Sequence, residues 1–275
     1  MINKILLMII TFALALNVAC MGDLEKEDLS ETVDNSNALN TTQSLDSEED
    51  NALQMFLQAI QNVEDADSFY TKTEGFTKSL GVTQEISAKR YVIGELMFKE
   101  SVSYSKLVKT ATQVLVANGK YLVRGKERVS SVNEVEWKNE ASEITEDEYL
   151  SRYGSVIFGF SNYVINEQTI TSVDLTKTDC YEFSITLDLH LSTVYMTKEM
   201  KTNAHSENYP TFTDIKVTVK TDLSLQVISV RYECKYNIKM PLLGEMDCEE
   251  DTTEYFYSFN QTSSFPEQEF FSLYV

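Results

Sequence analysis

The longest regular pattern in the chain is an alternation. Ile228, Val230, Tyr232, Cys234, Tyr236, Ile238 and Met240 take every second place, with Ser229, Arg231, Glu233, Lys235, Asn237 and Lys239 between them. A period of two puts one set on each face of a β-strand. At about 3.3 Å per residue the run spans roughly 40 Å, well beyond the usual strand of about 5–6 residues. A strand of that length must twist and coil.

The same period recurs on both sides of this run. Ser68 to Thr77 carries Phe69, Tyr70 and, past Gly75, Phe76. Ile86 to Phe98 is read with Ile86, Ala88, Val92, Leu96 and Phe98 on one side, and Tyr104 to Ala117 with Tyr104, Val108, Val114 and Val116. Asn118-Gly119 is a strong hairpin signal, because a two-residue turn of the favoured type needs positive φ at both centres. Lys120 to Arg124 leaves it as the next strand, and Val132 to Trp137 follows as a short one. Thr169 to Val173, Cys180 to Leu189, a strand opening with Ile215, Val217 and Val219, and Glu254 to Phe259 complete the set. In the Cys180 strand, Tyr181, Phe183, Ile185, Leu187 and Leu189 face one way.

Helical spacing is rarer. Ser47 can cap a helix over Ser47 to Val63, and Glu48, Glu49 and Asp50 fill its first turn, where negative charge suits the helix dipole. Leu53, Phe56, Leu57, Ile60 and Val63 make its apolar face. Thr145 to Tyr153 has a Thr-x-x-Glu capping box and ends at Gly154. Val156 to Ile165 fits a short helix or a buried strand, and is read as the helix; Ser192 to Thr202 is helical. The sum is an α+β chain, mainly β: one curved antiparallel sheet of about ten long strands, with a few helices over its concave, apolar face. Such a sheet closes into a barrel or curls around what covers it.

The first twenty residues follow a different logic. Lys4 is the one charge, Ile5 to Leu16 is an uncharged apolar run, and Asn17-Val18-Ala19-Cys20 ends it. That is the layout of an export signal, too short to be a membrane span of roughly 20 residues. With Ala19 before the cut and Cys20 after it, the stretch resembles the lipobox of bacterial lipoproteins, although Asn17 stands where that family usually has Leu. The resemblance implies that Cys20 becomes the acylated first residue, anchoring the chain to the extracytoplasmic face of a cell membrane. Without it, the stretch reads as the signal of an ordinary secreted protein. Residues 21–50 hold ten acidic residues against one lysine, and 21–46 reads as a disordered acidic tether. Residues 47–275 then form a single domain.

Composition narrows the partners. The net charge is −20, which argues against nucleic acid and against anionic head groups. Beyond Cys20 the cysteines are Cys180, Cys234 and Cys248. Export permits oxidation, but three thiols leave either one disulfide and one thiol or three thiols. Cys234 and Cys248 flank the Pro241–Gly244 turn and are the candidate pair. Simple pairing about that turn sets Cys234 opposite residue 251, a few residues out of register. Cys180 sits on the polar side of its strand.

No catalytic constellation stands out. Gly154-Ser155-Val156-Ile157 lacks the second glycine of a nucleophile elbow. His190 and His205 are the only imidazoles, so neither a metal site nor a cofactor is expected. Asp247, Glu249, Glu250, Asp251 and Glu254 read as a solvated acidic loop without calcium-ligand spacing. Phe98, Tyr104, Tyr181, Phe183, Tyr232, Tyr236, Tyr255 and Tyr257 are either plain core or the lining of a cavity for an apolar or amphipathic ligand.

A tethered helix, a meander of long strands, mid-chain helices and a second run of long strands are together similar to the half-barrel lipoproteins of the LolA/LolB and mycobacterial LppX type. That resemblance covers roughly residues 50–260 and rests on element order alone. It implies non-catalytic binding of lipid in the concave face. Segments such as Asn118-Gly119-Lys120-Tyr121, Tyr153-Gly154 and Ser161-Asn162-Tyr163 also resemble small lipoproteins of low-GC Gram-positive bacteria and mollicutes. The other reading of the same architecture is a structural or interaction protein whose core is filled.

Overall fold

The computed structural model describes residues 48–105, 109–125, 137–146, 149, 165, 168–202, 210–240 and 244–275. The expected signal, tether, Val132 strand, Val156 helix and Pro241 turn lie wholly or largely outside them. So does most of the Thr145 helix, of which one helical bond is seen, from the Tyr149 amide to the Thr145 carbonyl.

Among the described residues, eleven strands form one antiparallel sheet, in the order β6-β5-β4-β3-β2-β1-β11-β10-β9-β8-β7. The first meander runs outward through β1 (Ser68–Ser79), β2 (Val82–Ile93), β3 (Leu96–Tyr104), β4 (Lys109–Ala117), β5 (Lys120–Gly125) and β6 (Ser142–Ile144). The chain then crosses to the opposite edge and runs back through β7 (Ile170–Lys177), β8 (Tyr181–Leu187), β9 (Pro210–Thr221), β10 (Val227–Met240) and β11 (Gly244–Tyr257). β11 closes on β1, in a register from Tyr70 opposite Tyr257 to Ser79 opposite Cys248. The sheet is large, open and curved, a half-barrel. Its turns follow the local chemistry: Asn118 and Gly119 have φ of 53° and 71°, as the tight β4–β5 hairpin demands.

Helix α1 (Glu48–Glu64) lies on β7 and β10. Its fully buried positions are Ala52, Phe56, Ala59 and Val63, so two alanines do part of the work expected of Leu53, Leu57 and Ile60. Small side chains let the helix sit close on Phe183, Val217 and Val219, all fully buried in the same cluster. Helix α2 (Leu189–Thr202) begins three residues before the expected Ser192, because Asp188 caps it: its Oδ1 accepts from the Leu191 amide at 2.8 Å. The acidic run is also a correction. Asp247, Glu249, Glu250, Asp251 and Glu254 are no loop but part of β11; β10 pairs with all of them, and β1 with all but Asp247. The ladder outweighs the poor strand propensity of carboxylates, since tertiary pairing overrides propensity.

The outer face carries a cover that alternation does not announce. After β11 the chain is stapled to the start of β1: the Asn260 amide donates to the Ser68 carbonyl at 2.7 Å and the Asp67 amide to Asn260 Oδ1 at 2.8 Å. It then lays Phe265 and Phe271, in and before the short helix α3 (Gln268–Phe271), on Phe98, Leu115, Ala117 and Leu122. Arg124 stacks on Phe270, with its guanidinium 3.8 Å from the ring centre, and pairs with Glu267 at 3.1 Å.

Two substitutions test this account. Phe271 is fully buried, so Phe271→Ala is expected to cost about 3–5 kcal/mol in urea unfolding. At Gly75 an added Cβ would lie 2.2 Å from the Asp251 carbonyl and 2.6 Å from Thr252 Cα, whereas one at Gly125 meets nothing within 4 Å. Gly75→Ala should therefore cost about 2 kcal/mol in the same assay, with Gly125→Ala near neutral.

Candidate functional site

Register decides which side chains share a face. Taking the α1-covered face as inner, β10 contributes Tyr232, Cys234, Tyr236 and Ile238, with Val217 and Ile215 beside them on β9. β11 contributes Met246, Cys248, Glu250, Thr252 and Glu254. β1 continues with Thr73, Gly75, Thr77 and Ser79, and β2 with Gln84, Ile86, Ala88 and Arg90. The inner face is thus apolar on β7–β10 and mixed across β11, β1, β2 and β3, where Glu250, Glu254, Thr77, Gln84 and Arg90 stand among Met246, Ile86, Phe256 and Met97. A second apolar cluster, Met97, Val114, Val116 and Tyr149, follows beyond.

The eight aromatic candidates do not form one surface. Tyr181, Phe183, Tyr232 and Tyr236 are inner; Phe98, Tyr104, Tyr255 and Tyr257 are outer. The β2–β3 turn is responsible on one side: Val92 pairs with Met97, so Phe98 falls opposite Tyr91 and faces outward. Phe183 is core, 6.0 Å from the Phe56 ring, and Phe98 is core under Phe265 at 4.9 Å. Tyr255 and Tyr257 are exposed, and Tyr257 stacks on Tyr70 at 5.6 Å. Tyr104 is half-buried beside Glu74 and Glu85.

The cysteines are placed by the same ladder. Cys234 faces Glu250 and Tyr236 faces Cys248, so the two thiols are diagonal neighbours, and no disulfide joins them. Cys248 donates to Ser79 Oγ at 3.4 Å, and burial pushes its thiol pKa up. Burial likewise holds the Tyr236 hydroxyl well above its ordinary range. Cys180 is half-buried at the head of β8.

Sequence reading did not find the residues that set the inner face apart. Arg90 is 2% exposed and ion-paired to Glu254 across β1. Burial works against its charge and the Glu254 carboxylate works to keep it. Gln84, also buried, donates to Ser103 on β3. Glu250 is 3% exposed and its carboxyl is pushed up to about 7 by desolvation alone. Cys234, Glu250, Thr77 and Gln84 therefore form a buried row across four adjacent strands, β10, β11, β1 and β2. The one signal available was their alternation with Cys248, Thr252 and Glu254, masked by the acidic neighbours that face outward. His190 is exposed, and among the described residues no group of His, Cys, Asp and Glu is disposed to hold a metal ion. Among the described residues no helix is long and apolar enough to cross a membrane.

No protein-family model and no curated protein matches the chain. Solved structures similar to it include the Mycobacterium tuberculosis lipoprotein LppX, at 12% identity over 78% of this chain and 97% of that one, with a TM-score of 0.36. A DUF1329 family protein from Desulfovibrio piger matches at 11% identity over 80% and 95%, TM-score 0.28. MucB, in complex with the periplasmic part of MucA, matches at 8% over 76% and 94%, TM-score 0.13.

Glu250 makes stability depend on pH in a definite direction. Its carboxyl rises from 4.5 to about 7 on folding, so the folded chain holds a proton that the unfolded chain releases. Its contribution is full below about 4.5, declines as pH rises through that window and is lost above about 7. Relative to Glu250→Gln, the wild-type chain should lose roughly 3 kcal/mol between those limits, read from urea unfolding of both proteins across the range.

Proposed function

We propose that the protein is an extracytoplasmic lipoprotein that binds or carries an amphipathic ligand on the inner face of its half-barrel, without catalysis. The observation that carries this is the mixed character of that face. A sheet built only to be filled would be apolar throughout, because every buried polar group costs free energy unless it is hydrogen-bonded. Here the apolar β7–β10 wing is followed by Glu250, Thr77, Gln84, Ser103 and the Arg90–Glu254 pair, all buried or nearly so. A face with an apolar part and a polar part matches a ligand with a tail and a head. The address comes from residues 1–20: a charge at Lys4, an apolar run and Cys20 after Ala19. An acyl chain on Cys20 would anchor the protein, and the acidic stretch 21–46 would hold the domain off the membrane. Calcium, zinc and nucleic acid have no place in this reading.

A second reading has its own support. Leu80, Leu189, Leu191 and Val194 are exposed at the end of the sheet where β1 and β8 finish. Exposed apolar side chains at one end favour contact with another protein.

Two measurements check the proposal. Cys20→Ser should move the protein from the membrane to the soluble fraction on cell fractionation; retention in the membrane would remove the anchor. Native mass spectrometry of the full chain should show a bound mass released as lipid on denaturation. An apo mass that takes up no added amphiphile would shift the weight to the interaction reading.

A further inference from the structure

The outer face holds a recess that the inner-face reading does not use. It measures about 360 Å³ and opens at the end of the sheet where β1 turns into β2, β10 ends and β11 begins. Its lining includes Lys78, Lys235, Asn237, Asp247 and Glu249, together with Leu80, which is 55% exposed. Register fixes the arrangement. Lys78 on β1 faces Glu249 on β11, and Glu249 faces Lys235 on β10. Asp247, two residues before Glu249, faces Asn237. Charges of opposite sign thus alternate across three adjacent strands. Elsewhere on this face such neighbours close on each other: Arg231 pairs with Asp251 and Lys220 with Glu182, both at 2.9 Å. Around the recess they do not. Among the described residues Lys78, Lys235, Asp247 and Glu249 make no ion pair, and Lys235 makes none with Asp214, which faces it on β9. Two ammonium groups and two carboxylates are left open around one hollow.

We propose that this recess binds a zwitterionic phosphoethanolamine group, with Lys78 and Lys235 on the phosphate and Asp247 and Glu249 on the ammonium. The site lies outside the inner face and does not depend on the reading of that face. A lone anion meets the carboxylates as well as the lysines, and a lone cation meets the lysines as well as the carboxylates. Only a ligand bearing both signs is attracted by both sets. Its ammonium has three donors for the carboxylate oxygens, and its phosphate oxygens accept charge-assisted hydrogen bonds from lysine. Its two charges, two carbons apart, are separated by about 4.8 Å, the step between neighbouring strands and so between lysine and carboxylate. A phospholipid head group and a soluble ester share this chemistry. For the lipid, Leu80 offers an apolar contact beside the hollow.

The test is saturation-transfer NMR on the full chain at low ionic strength, with two soluble diesters as probes. Glycerophosphoethanolamine and glycerophosphoglycerol carry the same phosphate, and only the first has an ammonium. The first should bind about fivefold tighter, the upper end of what exposed charge pairs contribute. That preference should vanish in the double variant Asp247→Asn, Glu249→Gln. Lys78→Met combined with Lys235→Met should weaken both probes. The four side chains are exposed or half-buried, so none of these changes empties a core. Vesicles of phosphatidylcholine, with and without phosphatidylethanolamine, separate the two sources. Displacement of the probe by the former alone means a membrane head group, undiminished binding means a soluble ester, and both uphold the proposal. Equal binding of the two probes, a preference that survives the carboxylate variant, lysine variants that bind unchanged, or binding of neither probe overturns it. Each of these results leaves the inner-face carrier reading intact, since native mass spectrometry tests that separately.

Discussion

The pairing of β1 with β11 is the constraint on which the rest depends. It joins the first strand of one meander to the last strand of the other, and so turns two sheets into one. Among the described residues every other strand pair joins strands consecutive in sequence. Closing β1 on β11 therefore closes the longest loop among the described strand pairs and carries the largest single loop-entropy cost. The contact is tight enough that Gly75 has no room for a Cβ against Asp251 and Thr252. The staple from Asn260 to Ser68 and Asp67 fastens the same junction at one end.

That junction also sets the chemistry of the inner face. Because β11 and β1 are central, their inner side chains are buried or half-buried whatever their polarity. Glu250, Thr77 and Glu254 are drawn into the interior by register, while Asp247, Glu249 and Asp251 go outward by the same rule of alternation. Arg231 meets outward Asp251 in a two-pronged pair with distances of 3.1 and 2.9 Å, half exposed and of little energetic weight. The inward carboxyls have no such water to fall back on. One is neutralised by Arg90; the other, Glu250, is held near neutrality by its surroundings. The placement of a pair of acids four residues apart thus yields two different chemical states on one face.

The two faces are covered by different means, and this explains the aromatic residues. α1 covers the β7–β10 half of the inner face. On the outer face of β2–β5 the cover is the C-terminal segment, whose Phe265 and Phe271 pack on Phe98, Leu115 and Leu122. A sheet with both faces partly buried needs aromatic residues on both, so Phe98 and Phe183 serve different cores. Outer Gln113, fully buried, is satisfied by Glu100 at 2.7 Å beneath that cover.

Much of the architecture was legible in the chain. Alternation located most of the described strands, the Asn118-Gly119 turn and the long run ending at Met240, because period-two patterning is a local property that burial on one face imposes directly. Helical spacing located α1 and, within three residues, α2. Local pattern also separates Tyr232, Tyr236 and Cys234 from Arg231 and Lys235. What it does not carry is which strands meet. Whether Phe98 joins Tyr232 depends on the β2–β3 turn, and whether Cys234 faces Cys248 or Glu250 depends on a register fixed by hairpin geometry two strands wide. The buried row of Cys234, Glu250, Thr77 and Gln84 brings together residues from β10, β11, β1 and β2, and only pairing across the centre of the sheet assembles it. Sequence determined the elements, since each side chain's preference acts over a few residues. Tertiary structure decided the site, since burial and charge pairing act between residues distant in the chain.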